Sequence, residues 1–116
     1  MKTVILVLAD TETHEDRGRI RNALETAKEF KDSGDEIKLI FDGAGTRWIP
    51  EISKPDNRYH ELYVSLKDRS LACKYCASAF SVTAGIQAEG VSLIDEYHGH
   101  PSLRKLVSQG YQVISF

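Results

Sequence analysis

Hydrophobic positions along the chain switch between two periods, and the switches divide it into alternating strands and helices. From Thr3 to Ala9 the side chains are almost continuously β-branched or aliphatic, the pattern of a strand buried on both faces in a parallel sheet. From about Glu15 to Ser33 the period lengthens. Ile20, Ala23, Leu24, Ala27 and Phe30 recur at helical spacing, charged residues fill the opposite face, and Gly34 supplies a stop. EIKLIF, Glu36 to Phe41, predicts the second strand. The polar, glycine-bearing DGAGTRWIPEISKPDN that follows is the longest irregular stretch, and a loop of that length in a compact domain is usually functional or mobile.

The remaining pattern predicts a helix from about Asn57 to Lys67, a short strand RSLAC, and a helix from about Ala77 to Ala88. A strand GVSLI and a loop DEYHGH then lead to Pro101. Proline favours the first position of a helix, so Pro101 predicts the start of the last helix, Gly110 its end, and YQVISF a closing strand. Five strands alternating with helices predict an α/β fold: one domain over residues 1–116, an open, mostly parallel five-stranded sheet with helices on both faces. In such sheets ligands bind beyond the carboxyl ends of the strands. The turns there gather Asp10 to His14, Asp42 to Trp48, Cys73 to Cys76 and Asp95 to His100.

Composition bounds the function. A chain of 116 residues with 41% hydrophobic and 28% charged residues has a single globular core and needs no disulfide staples. Its net charge of -2 gives no electrostatic reason to expect nucleic acid or an acidic membrane as partner. The opening MKTVILVLAD ends its apolar run at Asp10, too early for a membrane span and without a cleavage site. A cytoplasmic protein acting on a small polar ligand or another protein is therefore expected. There is no nucleophile elbow, glycine-rich phosphate loop or His-Glu-x-x-His helix, so the hydrolase classes that use them lack their machinery.

Both cysteines fall in one stretch, ACKYCASAF. Cys73 ends the third strand where a helix begins, a position whose free N–H groups and helix dipole favour a thiolate. Cys76, in the first turn of that helix, is in reach for a disulfide, thiol exchange or a shared metal. The plain alternative is two packed small hydrophobes, since free cysteine is among the most buried residue types. A thioredoxin-type motif belongs after the first strand of its unit, whereas this one follows the third. For a metal, the loop YHGHP offers His98 and His100 on the same sheet edge, and two thiolates with two imidazoles would make a tetrahedral zinc site.

The opening strand, the glycine-ended first helix, FDGAG, LACKYCASAFSV and GYQVISF together resemble the DsrE/DsrF-like family of small sulfur-relay proteins, across nearly the whole chain. That resemblance implies a flavodoxin-like layering and no resident cofactor. It also implies a homo-oligomer, a trimer or a multiple of three, that exchanges sulfur with donor and acceptor proteins. Cys73 stands where the sulfur-transferring members carry their persulfide, which makes a sulfurtransferase or sulfur carrier the expected activity, with Cys76 as helper. The chain departs from the family at Cys76 itself, and at Ala79, Phe80 and Ser81, where relay members carry arginines and glycine.

Three further residues flank the expected site. His14 is placed to hydrogen-bond a ligand or to serve the start of the first helix. Arg47 and Trp48 offer charge and stacking to an anionic ligand or a partner's tail, and Trp48 is equally suited to packing.

Overall fold

Right-handed crossovers between parallel strands decide on which face of a sheet each helix falls. A computed structural model covers residues 1–116 and contains five strands: β1 Lys2–Val7, β2 Glu36–Phe41, β3 Ser70–Cys73, β4 Ser92–Ile94 and β5 Gln112–Ser115. They form one sheet in the order β4-β3-β2-β1-β5, and all four pairings are parallel. From β1 to β4 every connection steps the same way across the sheet, so the helices between them share one face. The connection from β4 to β5 returns across the whole sheet and places its helix on the other.

The helices are α1 His14–Asp32, α2 Trp48–Ile52, α3 His60–Val64, α4 Lys74–Ala79, α5 Thr83–Ala88 and α6 Leu103–Ser108. Alternation along the strands sends Ile5, Val7, Leu39 and Phe41 into the larger core, against Ile20 and Leu24 of α1, Ile49 and Ile52 of α2, Tyr63 of α3 and Ile86 of α5. Val4, Leu6 and Ile40 point the other way and meet Leu106 of α6 together with Tyr111. Both faces are thus covered, but unequally: one short helix serves the second. No helix is long and apolar enough to cross a membrane.

Helix α1 begins where a capping box fixes it. Thr13 accepts from the Asp16 N–H at 3.1 Å, and the Asp16 carboxylate accepts from the Thr13 N–H at 3.0 Å. Desolvation is the largest single influence on the Asp16 carboxyl and raises its pKa, but the hydrogen bonds from Thr13 and the Glu12 N–H, with the charge of Arg19, together outweigh it and hold the pKa below its usual value.

Four sequence expectations change here. The segment expected to be irregular, residues 42–57, holds a 3₁₀ turn, Gly43–Arg47, followed directly by α2. Two glycines and a proline hide that order from periodicity, and burial of Trp48, Ile49 and Ile52 supplies it. The helix expected over Ala77 to Ala88 is two helices, with α4 starting at Lys74 and a break at Ser81, whose φ is 58°. The last helix begins two residues after Pro101, because Ser102 caps it by accepting from the Lys105 N–H. The helix expected over Asn57 to Lys67 is shorter, with a second 3₁₀ turn at Lys67–Arg69.

Candidate metal centre

Register brings the site together. The β2–β3 ladder pairs Phe41 with Ala72, so Asp42 comes level with Cys73 one residue on, and Cys73 itself pairs with Ile94 of β4. Three chain segments therefore leave the sheet side by side: the turn after β2, the β3-to-α4 junction and the loop after β4.

Cys73 is the N-cap of α4 and fully buried. Its Sγ accepts from the Cys76 N–H at 3.4 Å. Cys76, one helical turn on and half-buried, turns its Sγ to the same side. It donates to Asp42 Oδ1 at 3.4 Å. That carboxylate oxygen also accepts the Gly43 N–H at 2.9 Å, which holds Asp42 against the start of the 3₁₀ turn. His100 brings the fourth group: its Nδ1 lies 3.4 Å from Cys73 Sγ and 3.9 Å from Cys76 Sγ. One ligand atom from each of Asp42, Cys73, Cys76 and His100 lies within 4.8 Å of every other.

The loop after β4 explains why one histidine enters and the other stays out. Tyr97 and His100 exchange both backbone hydrogen bonds, at 2.9 and 2.8 Å, around His98 and Gly99, whose φ angles are 50° and 85°. Two successive positive φ values make a tight hairpin turn of the I′ kind. His100, on its returning arm, faces the thiols and packs against the Tyr75 ring with centroids 4.7 Å apart. His98, at the tip, is exposed and stands edge-on to Tyr97, outside the four-residue group. Asp42 occupies the position that the sequence assigns to His98. Its signal in the chain is an aspartate directly after a buried strand and before a glycine.

Burial pushes the Cys73 thiol up to about 12. The Cys76 N–H works against that rise, and the Cys76 thiol and the negative charge and hydrogen bonding of Asp42 add to it. The helix N-terminus, expected from the sequence to favour a thiolate, is outweighed. Cys73 at neutral pH is a thiol, and it donates towards the Gly99 carbonyl at 3.7 Å.

Gly99 sets the loop's fit. A Cβ there would stand 3.2 Å from Tyr75 Cβ on a backbone at φ 85°, and the Gly99 carbonyl accepts the Tyr75 N–H at 2.9 Å. Gly99→Ala is expected to cost about 1–2 kcal/mol, read by thermal melting, through the left-handed strain. It also displaces His100. His98→Ala is expected to leave stability within about 0.5 kcal/mol, as for an exposed side chain.

The flanking residues sit elsewhere. His14 opens α1, exposed, with its Nδ1 3.2 Å from Arg17 Nη2. Arg47 is committed to two carboxylates, Asp10 at 2.8 Å and Glu12 at 2.7 Å, and the Glu12 hydrogen bond is the main reason its pKa is raised. Trp48 is buried, donates its indole N–H to the Ala9 carbonyl at 3.0 Å and meets Tyr59 edge-on. Arg47 and Trp48 border a separate cleft with Arg17, Glu51 and Tyr59. None of the three residues belongs to the cysteine cluster.

No protein-family model matches the chain. Over 88 residues it is 32% identical to the uncharacterized protein MJ0733 of Methanocaldococcus jannaschii, a match that spans 76% of this chain and 72% of that protein. The solved structure of BT1422, a conserved protein of unknown function from Bacteroides thetaiotaomicron, shares the fold. It superposes with a TM-score of 0.68 at 20% identity, over 97% of this chain and 94% of that one.

Proposed function

We propose that this chain, which belongs to the family of the Methanocaldococcus jannaschii protein MJ0733, is a metal-binding protein whose centre is Asp42, Cys73, Cys76 and His100, a reading carried by that cluster alone. The spacing of the four ligand atoms carries this reading. Around a tetrahedral zinc ion, with Zn–S near 2.3 Å and Zn–N and Zn–O near 2.0–2.2 Å, sulfur lies about 3.5 Å from nitrogen or oxygen and about 3.8 Å from sulfur. Three of the six separations are close to these values, sulfur to nitrogen at 3.4 and 3.9 Å and sulfur to oxygen at 3.4 Å, and the remaining pairs lie within 4.8 Å, so metal binding draws the four groups slightly closer.

Two sulfurs, an imidazole and one carboxylate suit zinc better than magnesium or calcium, which take oxygen ligands. The same groups that keep Cys73 protonated, a buried site with Asp42 beside it, favour a divalent cation that replaces the thiol protons. Four protein ligands close the coordination sphere, so the ion ties three loops together. Asp42 is steadied from behind by the Gly43 N–H and His100 by the Tyr75 ring, as ligand-orienting contacts are in metal sites.

The test is elemental analysis of the purified protein with a zinc titration against a competing chelator. One zinc per chain supports the reading. Protein that takes up no zinc, cobalt or other divalent transition metal with its thiols reduced overturns it.

A second reading follows from the DsrE-like resemblance: Cys73 carries a sulfane sulfur between donor and acceptor proteins, within a homo-oligomer. The observation in its favour is the Cys76 N–H aimed at Cys73 Sγ, a contact that stabilises an anionic sulfur. Intact mass after incubation with a sulfane-sulfur donor separates the readings. A gain of one sulfur that vanishes in Cys73→Ser supports the relay, and no gain with one bound zinc supports the metal centre.

A further inference from the structure

Resting on the metal reading, we infer that Cys76 is a peroxide-sensitive site whose oxidation joins it to Cys73 and releases the ion. The two sulfurs differ in access. Cys73 is fully buried, whereas Cys76, in the first turn of the same helix, is partly exposed as a residue. Peroxide therefore meets Cys76 first. The partner that completes the reaction is already in place, because Cys73 lies three residues earlier in the chain and both sulfurs converge on His100 Nδ1, at 3.4 and 3.9 Å.

The chemistry balances in two steps. The Cys76 sulfur attacks one oxygen of a hydroperoxide, an S–O bond forms, the O–O bond breaks, and the departing oxygen leaves as water or an alcohol after taking a proton. The sulfur has lost two electrons and the peroxide has gained them. The Cys73 sulfur then attacks the Cys76 sulfur, an S–S bond forms, the S–O bond breaks, and hydroxide leaves to become water. For hydrogen peroxide the sum is two thiolates, one peroxide and two protons giving one disulfide and two waters. A disulfide has no thiolate to offer, so Asp42 and His100 alone face the ion and it leaves. The turns carrying them are no longer cross-linked, and the hairpin with Tyr97 and His98 at its exposed end is freed with them.

The experiment uses zinc-loaded full-length protein. Bound zinc is measured first, then hydrogen peroxide is added, and released zinc is followed with a chromogenic chelator while intact mass is taken under denaturing conditions. The expected result is release of one zinc per chain in step with loss of two hydrogens from the mass, both reversed by a dithiol reductant and fresh zinc. Protein that never loads zinc overturns the metal reading itself. Loaded protein that keeps its zinc and both thiols, or releases zinc with the cysteines oxidised beyond disulfide, overturns the switch alone.

Discussion

Gly45→Ala is expected to destabilise the protein by about 3 kcal/mol or more, the upper end of what overpacking a rigid site costs. Gly45 lies buried in the 3₁₀ turn after β2, and a Cβ there would stand 2.1 Å from the Val7 carbonyl oxygen and 2.8 Å from its carbon. Both atoms are backbone of β1, an interior strand paired on both sides, so the turn must move instead. That carbonyl also accepts the Asp42 N–H at 2.9 Å, and the displacement therefore takes the carboxylate out of the cluster. Thermal melting should fall by roughly 10 °C or more for a chain of this size. The same substitution at Gly18 in α1, where nothing lies within 4 Å, is expected to stabilise by about 0.5–1 kcal/mol through helix propensity. Equal melting temperatures for the two variants would refute the close approach.

Cys73→Ser is expected to weaken zinc binding by about 100-fold or more. Structural zinc sites bind with about 10–16 kcal/mol, so a quarter of that for one of four ligands is about 3 kcal/mol, and 1.4 kcal/mol is a factor of ten. Hydroxyl oxygen at neutral pH does not ionise as a thiol does under the ion. On the metal reading, zinc held by the folded chain alone would stabilise wild-type protein by about 4 kcal/mol at a thousandfold excess of free zinc over the dissociation constant. Stripping the metal with a chelator should then lower the melting temperature by roughly 10–20 °C. Cys73→Ser, measured with and without chelator, should lose most of that difference. A chelator-induced shift equal to that of the wild type would place the metal elsewhere.

How much of this was legible in the sequence depends on the range of the interactions that decide each part. The strands were readable because Thr3 to Ala9 and Glu36 to Phe41 are largely apolar runs, and α1 because its stripe from Ile20 to Phe30 spans about three turns and Gly34 follows it. The 3₁₀ turn and α2 were not, because burial of Trp48 and Ile49 orders them against a glycine- and proline-rich local pattern.

At the site, the C-x-x-C pair and His100 were readable from spacing and topology. His98 was chosen by proximity in sequence, and the hairpin geometry of two positive φ values turned it away. Asp42 comes from 31 residues before Cys73, and only the parallel register of β2 with β3 puts them level. Arg47 reads as a free cation in the chain, yet Asp10 and Glu12 neutralise it in the fold.

The measurement that bears most directly on the metal centre is the optical spectrum of the protein titrated with cobalt(II) under reducing, anaerobic conditions, in wild type, Asp42→Asn, His100→Ala and His98→Ala. The account predicts, for wild type and His98→Ala, the intense visible ligand-field bands of tetrahedral cobalt with near-ultraviolet thiolate-to-cobalt charge transfer, saturating at one ion per chain. Asp42→Asn and His100→Ala should give weaker binding and shifted bands. The faint spectrum of six-coordinate cobalt without charge transfer, or loss of the signal in His98→Ala with full binding in Asp42→Asn, would contradict it.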